Sequence, residues 1–372
     1  MTPFNHVLKQ EERAVFALRS LYRSFGYTQF KMSKFEEYDL YVRNKSFLVS
    51  DHVITFTDTN GKLMALKPDV TLSIVKNSKD LPDVVQKVYY DENVYRVSNS
   101  SSSYREIPQA GLECIGCVDR YCLAEVLSLA LKSLELISED YVLDISHLGI
   151  LSAVLEEIPL SEAGKASLLA CVGEKNLHGV DEICRAEGVD PAVAARLRDL
   201  MNGYGSADRV IESLSALFAN DARILSMLDE LREVLSVIPS KNVHIDFSVV
   251  NDLGYYNGIV FQGFVNGIPQ SILSGGQYDN LMKKMGRRSG AVGFAVYLDL
   301  LDELSAPAGR YDVDAVLLYN EDTPLALVFD AVAALTKSGK TVSAQHKRPE
   351  KLHCKEIYQL TEKGVVCIEA DA

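Results

Sequence analysis

Apolar residues recur at helical spacing across residues 9–25, with Val15, Leu18, Leu21, Tyr22 and Phe25 on one face and Gly26 placed to end the segment. Alternation with a period of two takes over in residues 27–35, which predicts a strand. Residues 53–66 read as a hairpin, Ile54, Phe56, Leu63 and Ala65 alternating around Asn60-Gly61, a strong short turn signal. Val88, Tyr90 and residues 94–97 are mostly β-forming, a Ser-Asn cluster follows, and residues 110–115 are again mostly apolar. That order predicts an antiparallel pair joined by a long polar loop. Alternation sets Arg96 near the loop end of the first strand and Gln109, Gly111 and Glu113 on one face of the second. One sheet face then carries a cation, an amide and a carboxylate.

Further along, residues 124–138 have an amphipathic helical pattern and residues 141–145 a short strand. Residues 161–235 are almost wholly helix-patterned, with Pro191 at a helix start, and read as an inserted helical subdomain. His178 falls in the Asn176-Leu177-His178-Gly179 connection and is expected to be a solvated loop residue. Strand pattern returns at residues 243–250. Ser305-Ala306-Pro307-Ala308-Gly309 is a linker, and the stretch beyond it alternates β, α, β, α, β, with a short helix expected near 350–359 and a parallel sheet. The expected class is α+β: a domain over residues 1–304, containing the insertion, followed by a small α/β domain over 310–372.

Composition narrows the function classes. With 372 residues and 47% apolar content the chain can bury a large core. No apolar run reaches the about 18 residues of a membrane helix, and the N-terminus lacks the order of a secretory signal, so a cytoplasmic protein is expected. Seven cysteines scattered between Cys114 and Cys367 fit reduced thiols, and Cys114-x-x-Cys117 lacks the further grouped ligands a zinc site needs. No metal and no cofactor is expected. The formal charge is −13, from 51 acidic against 38 basic residues, and the tight basic cluster is short: Lys283, Lys284, Arg287 and Arg288. A tRNA partner is therefore not favoured.

Several segments together resemble a known family. Arg96, the loop and Gln109-Ala110-Gly111-Leu112-Glu113 resemble motif 2 of class II aminoacyl-tRNA synthetases, most closely the histidyl-tRNA synthetase form. The helix, Gly26-Tyr27 and strand order is similar to motif 1, which builds the dimer interface in those enzymes, although Ser33 stands where the family usually has proline. Lys67-Pro68-Asp69-Val70-Thr71 is similar to the family's Arg-Pro-Glu-Gly-Thr segment, whose acid and threonine hold the amino group of histidine. The same two residues also suit a helix N-terminus, Asp69 or Thr71 capping the turn over residues 72–75. Tyr255-Tyr256 and the Gly275-Gly276-Gln277-Tyr278-Asp279 turn match the signature that closes the histidine pocket. Residues 290–301 resemble motif 3, where a Gly-Leu-Glu-Arg helix supplies an arginine for ATP phosphates; here the run is Tyr297-Leu298-Asp299-Leu300.

The resemblance implies a class II synthetase-like antiparallel sheet with flanking helices, and it implies a divided pocket. On the amino-acid side, Asp69 and Thr71 suit an ammonium, Gln109 bridges ammonium and carboxylate, and Arg96 suits the carboxylate. Glu113 and a hydroxyl from Tyr255 or Tyr256 suit an imidazole. On the ATP side the motif 3 arginine is Leu300, the arginine before the tandem tyrosines is Asn251, and the motif 2 acid is Ser98. Each lost stabiliser of that kind typically costs about 10²–10³ in rate. A pocket that keeps its amino-acid contacts and loses its ATP contacts is similar to the regulatory-subunit family of short-form ATP phosphoribosyltransferases, paralogues of histidyl-tRNA synthetase. That family implies no catalytic residue of its own, histidine as ligand, a self-dimer through motif 1 and a catalytic phosphoribosyltransferase chain as partner. A divergent histidyl-tRNA synthetase is the competing reading, and an amino-acid-binding module serving another partner is a third.

Overall fold

In the computed structural model, residues 8–44, 53–81, 83–97, 103–238, 241–250, 255–304 and 311–370 are described. Ser98, Asn251 and the whole of the 305–309 linker lie outside them. The chain divides into two compact units, Met1–Leu304 and Ser305–Ala372.

The first unit opens with α1 (Gln10–Ser24), whose Leu18 and Tyr22 are buried, and Gly26 follows at φ +83°, a conformation that favours glycine after a helix. Next come β1 (Thr28–Gln29), β2 (Phe35–Glu37), α2 (Tyr38–Arg43), β3 (Thr55–Thr57), β4 (Leu63–Leu66) and α3 (Thr71–Asn77). The predicted hairpin is present as β3 and β4, and β2 adds to it to give a three-stranded sheet in the order β2-β4-β3. The strand expected over residues 27–35 is broken into the two short pieces β1 and β2.

The long antiparallel pair is β5 (Gln86–Val97) and β6 (Tyr104–Gly116). It is followed by α4 (Arg120–Ile137), capped by Asp119 accepting from the Cys122 amide at 2.9 Å, then β7 (Tyr141–His147) and α5 (Leu148–Glu156). The helical stretch contains α6 (Glu162–Gly173), α7 (Leu177–Ala186), α8 (Pro191–Met201), a short strand β8 (Tyr204–Ser206), α9 (Ala207–Leu217) and α10 (Ala222–Ser236). His178 is in the first turn of α7 rather than in a loop; Asn176 caps that helix, and the exposed imidazole lies 3.3 Å from Glu182 one turn on. The stretch is tied to the sheet by β8 and by Lys175, at φ +53°, whose ammonium lies 2.6 Å from Asp246.

The unit closes with β9 (Val243–Asp246), β10 (Ile259–Val265), β11 (Leu273–Gln277), α11 (Asp279–Lys284), β12 (Gly290–Tyr297) and a 3-10 helix over Leu298–Leu304. The Gly275-Gly276-Gln277 run is thus the end of a strand, and the turn lies at Tyr278. Nine strands form one sheet in the order β1-β5-β6-β12-β11-β10-β7-β9-β8, antiparallel except for the β1–β5 and β7–β9 pairs. On one face the main core packs α1 and α4 onto Ala110, Leu112, Cys114, Val292, Phe294 and Val296. On the other face, Tyr90, Ile115, Ala291, Tyr255 and Tyr278 meet residues of α3 and α11. Period-two alternation produces this division, since even and odd positions of β6 and β12 point to opposite sides.

The second unit holds β13 (Val313–Leu318), α12 (Leu325–Lys337), β14 (Val342–Gln345), β15 (Cys354–Thr361) and β16 (Gly364–Ala370) in the sheet order β14-β13-β15-β16. Where a helix was expected near 350–359 there is a strand, and β15–β16 is antiparallel, so the sheet is mixed. The charged residues Lys351, Lys355 and Glu356 invite a helical reading. Pairing with β13 decides otherwise, because it buries Ile357 and Leu360 along the strand.

Candidate functional site

The floor of the site is the odd-numbered face of β6. Gln109, Gly111 and Glu113 rise from it, Tyr90 of β5 lies opposite Gly111, and Ala295 and Gly293 of β12 lie opposite Gly111 and Glu113. The small residues are a requirement of the geometry. A Cβ on Gly293 would stand 1.8 Å from Glu113 Oε2, and one on Gly111 would stand 2.3 Å from the Phe294 carbonyl oxygen and 2.5 Å from the Tyr90 hydroxyl. The glutamate can lie across β12 only because that strand offers no side chain there.

The walls come from three other elements. Asp69 Oδ1 accepts the Leu72 amide at 2.8 Å, and Thr71 Oγ1, at the start of α3, donates to Glu113 Oε1 at 2.8 Å. Asp69 thus holds the first turn of α3, and Thr71 faces Glu113. Tyr278, at the head of α11, donates its hydroxyl to Glu113 Oε2 at 2.6 Å. Tyr255 shares a hydrogen bond with Thr71 and lies with its ring 4.5 Å from Tyr256 and 5.8 Å from Tyr278.

A polar clip fixes the tyrosine pair. Asn257 Oδ1 accepts the Asp279 amide at 2.8 Å, Asn257 Nδ2 donates to Asp279 Oδ2 at 3.1 Å, and Gln277 Oε1 accepts the Ile259 amide at 2.7 Å. The other Asp279 oxygen takes the Ala291 amide of β12 at 2.9 Å.

Burial sets the electrostatics. Glu113, 2% exposed, has its pKa pushed up to about 8, chiefly by burial; the Tyr278 and Thr71 hydroxyls pull it down and Asp69 pushes it further up. Asp69 is also raised by burial, opposed by the Leu72 amide and by Arg96. Tyr90, Tyr255 and Tyr278 are raised far above the ordinary phenol value by burial. Buried Glu113 and half-buried Asp69 therefore share a pocket in which Arg96 and Lys67 are the cations acting on Asp69, and burial favours the protonated form of Glu113. Such a site gains most from a ligand that brings positive charge and hydrogen-bond donors.

Of the residues expected from the sequence, Asp69, Thr71, Glu113 and Tyr255 converge directly, and Gln109 sits buried on the floor between them and the hairpin tip. Arg96 stands at the rim, where its Nε donates to the Pro68 carbonyl at 3.0 Å. Tyr256 leans toward a small apolar cluster of Leu148, Val249 and Val260. The residue sequence reasoning left out of the site is Tyr278, although it lies inside the Gly-Gly-Gln-Tyr-Asp segment already singled out. Among the described residues no group of three or more His, Cys, Asp or Glu side chains is placed to hold a metal ion. No described helix is long and apolar enough to cross a membrane.

A nine-stranded, mainly antiparallel sheet with helices on its back and a polar pocket over Gln109, Gly111 and Glu113 defines a protein of the class II aminoacyl-tRNA synthetase fold. Comparison with known proteins specifies this further. The family model described as histidyl-tRNA synthetase matches residues 5–301, and the chain belongs to that family. The ATP phosphoribosyltransferase regulatory subunit of Oceanobacillus iheyensis is 28% identical over 316 residues, covering 83% of this chain and 77% of its own length. The histidine–tRNA ligase of Methanococcus vannielii is 29% identical over 292 residues, covering 76% and 69%. Among solved structures, an ATP phosphoribosyltransferase regulatory subunit/histidyl-tRNA synthetase from Bacillus halodurans superposes with a TM-score of 0.71 at 24% identity, covering 90% of this chain and 88% of that one. A chain of the ATP phosphoribosyl transferase (HisG:HisZ) complex from Thermotoga maritima superposes with a TM-score of 0.60 at 20% identity, covering 76% and 96%.

Proposed function

We propose that this chain is the non-catalytic regulatory subunit of an ATP phosphoribosyltransferase, acting in the first step of histidine biosynthesis, and that the pocket over Glu113 takes histidine. The observation that carries the reading is the segment after β12. In place of a cation aimed at the pocket, Leu300 is partly buried against the main core, in a set of relatives that includes several named as such regulatory subunits. The amino-acid end supports a sensor. Asp69 and Thr71 meet an ammonium, Gln109 and Arg96 lie toward a carboxylate, and Glu113 with Tyr278 and Tyr255 meets an imidazole, which carries both a donor and an acceptor nitrogen. In this reading the protein catalyses nothing itself, binds no tRNA and needs no cofactor.

The partner is the catalytic phosphoribosyltransferase chain, and the chain also pairs with itself through α1 and the strand after it. Phe16 is 54% exposed on α1, and the Phe35 and Phe56 rings, 5.3 Å apart, are exposed on the three-stranded sheet; that apolar surface supports a two-fold interface. The test is reconstitution. Adding this chain to the catalytic chain from the same source should raise phosphoribosyl transfer from a near-zero rate and make it sensitive to histidine, and the chain alone should give no histidine-dependent exchange of pyrophosphate into ATP. Exchange at a synthetase-like rate would instead support the histidyl-tRNA synthetase reading, which the kept amino-acid end and the similarity to histidine–tRNA ligases favour.

A further inference from the structure

Helix α6 ends in a pair of backbone bonds, the Lys175 amide to the Val172 carbonyl at 3.0 Å and the Asn176 amide to the Cys171 carbonyl at 2.8 Å. That arrangement holds Lys175 in the left-handed region, at φ +53°, where glycine is the usual occupant. The same two bonds close α1, α7, α11 and α12, and there the position is filled by Gly26, Gly188, Gly286 and Gly339. Among the described residues Lys175 is the one non-glycine residue at positive φ. A strained backbone kept in spite of its cost directs attention to what the side chain does.

The ammonium reaches the last three strands of the sheet. Register places Asp144 of β7 beside His244 of β9, and Asp246 of β9 beside Tyr204 of β8. Asp144 is joined to the pocket floor by a row of register partners, Gln262, Ser274, Ala295 and Gly111, so this group shares the floor's face of the sheet. Lys175 Nζ lies 2.6 Å from Asp246 Oδ2 and 4.8 Å from the Tyr204 ring, whose hydroxyl is 3.0 Å from His244 Nδ1. Asp144 and Asp246 are both buried, and Asp144 has its pKa pushed up to about 6, chiefly by burial and then by Asp246, against His244 and Lys175. Lys175 thus carries a cation from the helical insertion to two buried carboxyls.

The other oxygen of Asp246 builds a turn. Oδ1 accepts the Ser248 amide at 2.8 Å and the Ser248 hydroxyl at 2.6 Å, and the Val249 amide donates to the Asp246 carbonyl at 3.1 Å. Val249 is buried with Leu148 and Val260 in the cluster against which Tyr256 packs. The Tyr256 ring lies 4.5 Å from that of Tyr255, which shares a hydrogen bond with Thr71. A contiguous run of bonds and packed side chains therefore leads from the insertion to the wall of the pocket.

We propose that Lys175 and Asp246 are positioning residues for the pocket: through this ion pair the helical insertion holds the turn on which the tandem tyrosines rest, and so sets the affinity for histidine. The inference rests on the reading of the pocket as a histidine site and deepens it by giving the insertion a part in binding. Without the ammonium, Asp144 and Asp246 stand as like charges on adjacent strands, which is destabilising, and the turn loosens under Val249. Tyr256 then loses the surface it packs on, and Tyr255 its fixed place beside Thr71.

The test is isothermal titration of the full chain with histidine, alone and in complex with the catalytic chain. It compares the unaltered protein with Lys175→Gly, Lys175→Arg, Asp246→Asn and the Lys175→Gly/Asp246→Asn double variant. Glycine suits the left-handed backbone, so Lys175→Gly should fold with a Tm no lower than that of the unaltered chain, and Lys175→Asn takes its place if it does not. Lys175→Gly should bind histidine about tenfold less tightly, within the usual range of coupling between sites, whereas Lys175→Arg keeps the charge and should bind near the original affinity. Asp246→Asn should weaken binding at least as much, and adding Lys175→Gly to it should cost nothing further, because both cut the same link. Hydrogen exchange at the amides of residues 246–250 should rise in Lys175→Gly and stay low in Lys175→Arg. Unchanged affinity in folded Lys175→Gly would overturn the proposal, as would additive losses in the double variant or exchange that rises in the insertion and not at 246–250. Those results leave the histidine reading standing, whereas absence of histidine binding to the unaltered chain, alone and in the complex, removes that reading and this inference together.

Discussion

Replacing Glu113 by glutamine should stabilise the ligand-free protein and weaken its hold on histidine, and the two effects have one cause. The Glu113 carboxyl has a pKa pushed from 4.5 to about 8 by burial. A raised carboxyl binds more protons in the folded than in the unfolded chain between those two values, so its contribution to stability falls as pH climbs through that window and levels off above about 8. At 1.36 kcal/mol per unit, the loss between pH 5 and pH 8 comes to about 3 kcal/mol. Glutamine has no such titration, but it offers a single acceptor oxygen to the Thr71 and Tyr278 hydroxyls, which now donate at 2.8 and 2.6 Å, and one poorer hydrogen bond costs about 1 kcal/mol. The variant should therefore be neutral or slightly less stable at pH 5 and about 3 kcal/mol more stable at pH 8. With an unfolding entropy of roughly 2 cal/mol/K per residue, a unit of about 300 residues shifts its Tm by about 5 °C. Differential scanning fluorimetry of both proteins at pH 5, 6, 7 and 8 reads the difference, and groups common to both cancel. Histidine binding should move the other way, about tenfold weaker or more, because an ionised carboxylate accepting from imidazole is a charge-assisted bond and an amide is not. Binding to the unaltered protein at pH 7 should also release a proton, visible as a dependence of the binding enthalpy on the buffer. A Tm difference that does not change with pH would refute the desolvated-carboxyl reasoning.

Four further outcomes follow from the same geometry. Asp69→Asn should weaken histidine binding on the order of 10²-fold by leaving the ammonium without a counter-charge, and Thr71→Val by about tenfold, as calorimetry would show. Gly293→Ala should abolish binding and lower Tm, because its methyl group would stand 1.8 Å from Glu113 Oε2; unchanged binding would mean that Glu113 does not need to lie across β12. Sedimentation at micromolar concentration should give a dimer, and Phe16→Glu on α1 should shift it toward monomer. Leu300→Arg should not create pyrophosphate exchange, since Leu300 is turned into the core and groups that act together in one site are not additive.

Local pattern carried the reading of the fold wherever one periodicity ran uninterrupted. α1, the β3–β4 hairpin and the β5–β6 pair all follow from spacing, and a two-residue period in β6 suffices to bring Gln109, Gly111 and Glu113 to one face. It failed in β15, where Lys355 and Glu356 break the alternation and pairing with β13 outweighs local preference. The pocket was legible as a set of residue types and less so as a set of contacts. A tyrosine hydroxyl was expected near the imidazole end from the Tyr255-Tyr256 pair, yet the hydroxyl on Glu113 belongs to Tyr278, 165 positions away in sequence. That contact depends on β12 lying between β6 and β11, a sheet order that no local pattern encodes. The protonation of Glu113 was hidden for the same reason, since it depends on how much water the assembled walls exclude.

A pocket that senses its ligand must also transmit, and a ligand shifts an equilibrium between two states only by the difference in its affinity for them. The clip beneath the tyrosines supplies a path by which such a difference could reach the sheet. Histidine held under Tyr255 would bear on residues 255–259, and these are bonded to Gln277 at the end of β11 and to Asp279 at the head of α11. Asp279 in turn takes the Ala291 amide of β12, the strand that runs past Gly293 to Tyr297. The tyrosine pair and the far end of β12 are thereby joined through one strand and one carboxylate. A change in how firmly the tyrosines sit would be felt at the 3-10 helix that β12 leads into. Breaking the clip with Asn257→Ala should then separate the two functions: histidine would still bind, more weakly, while inhibition of the reconstituted complex would fall by more than the loss of binding explains. Inhibition that tracks occupancy in the variant as it does in the unaltered protein would place the transmitting element elsewhere in the fold.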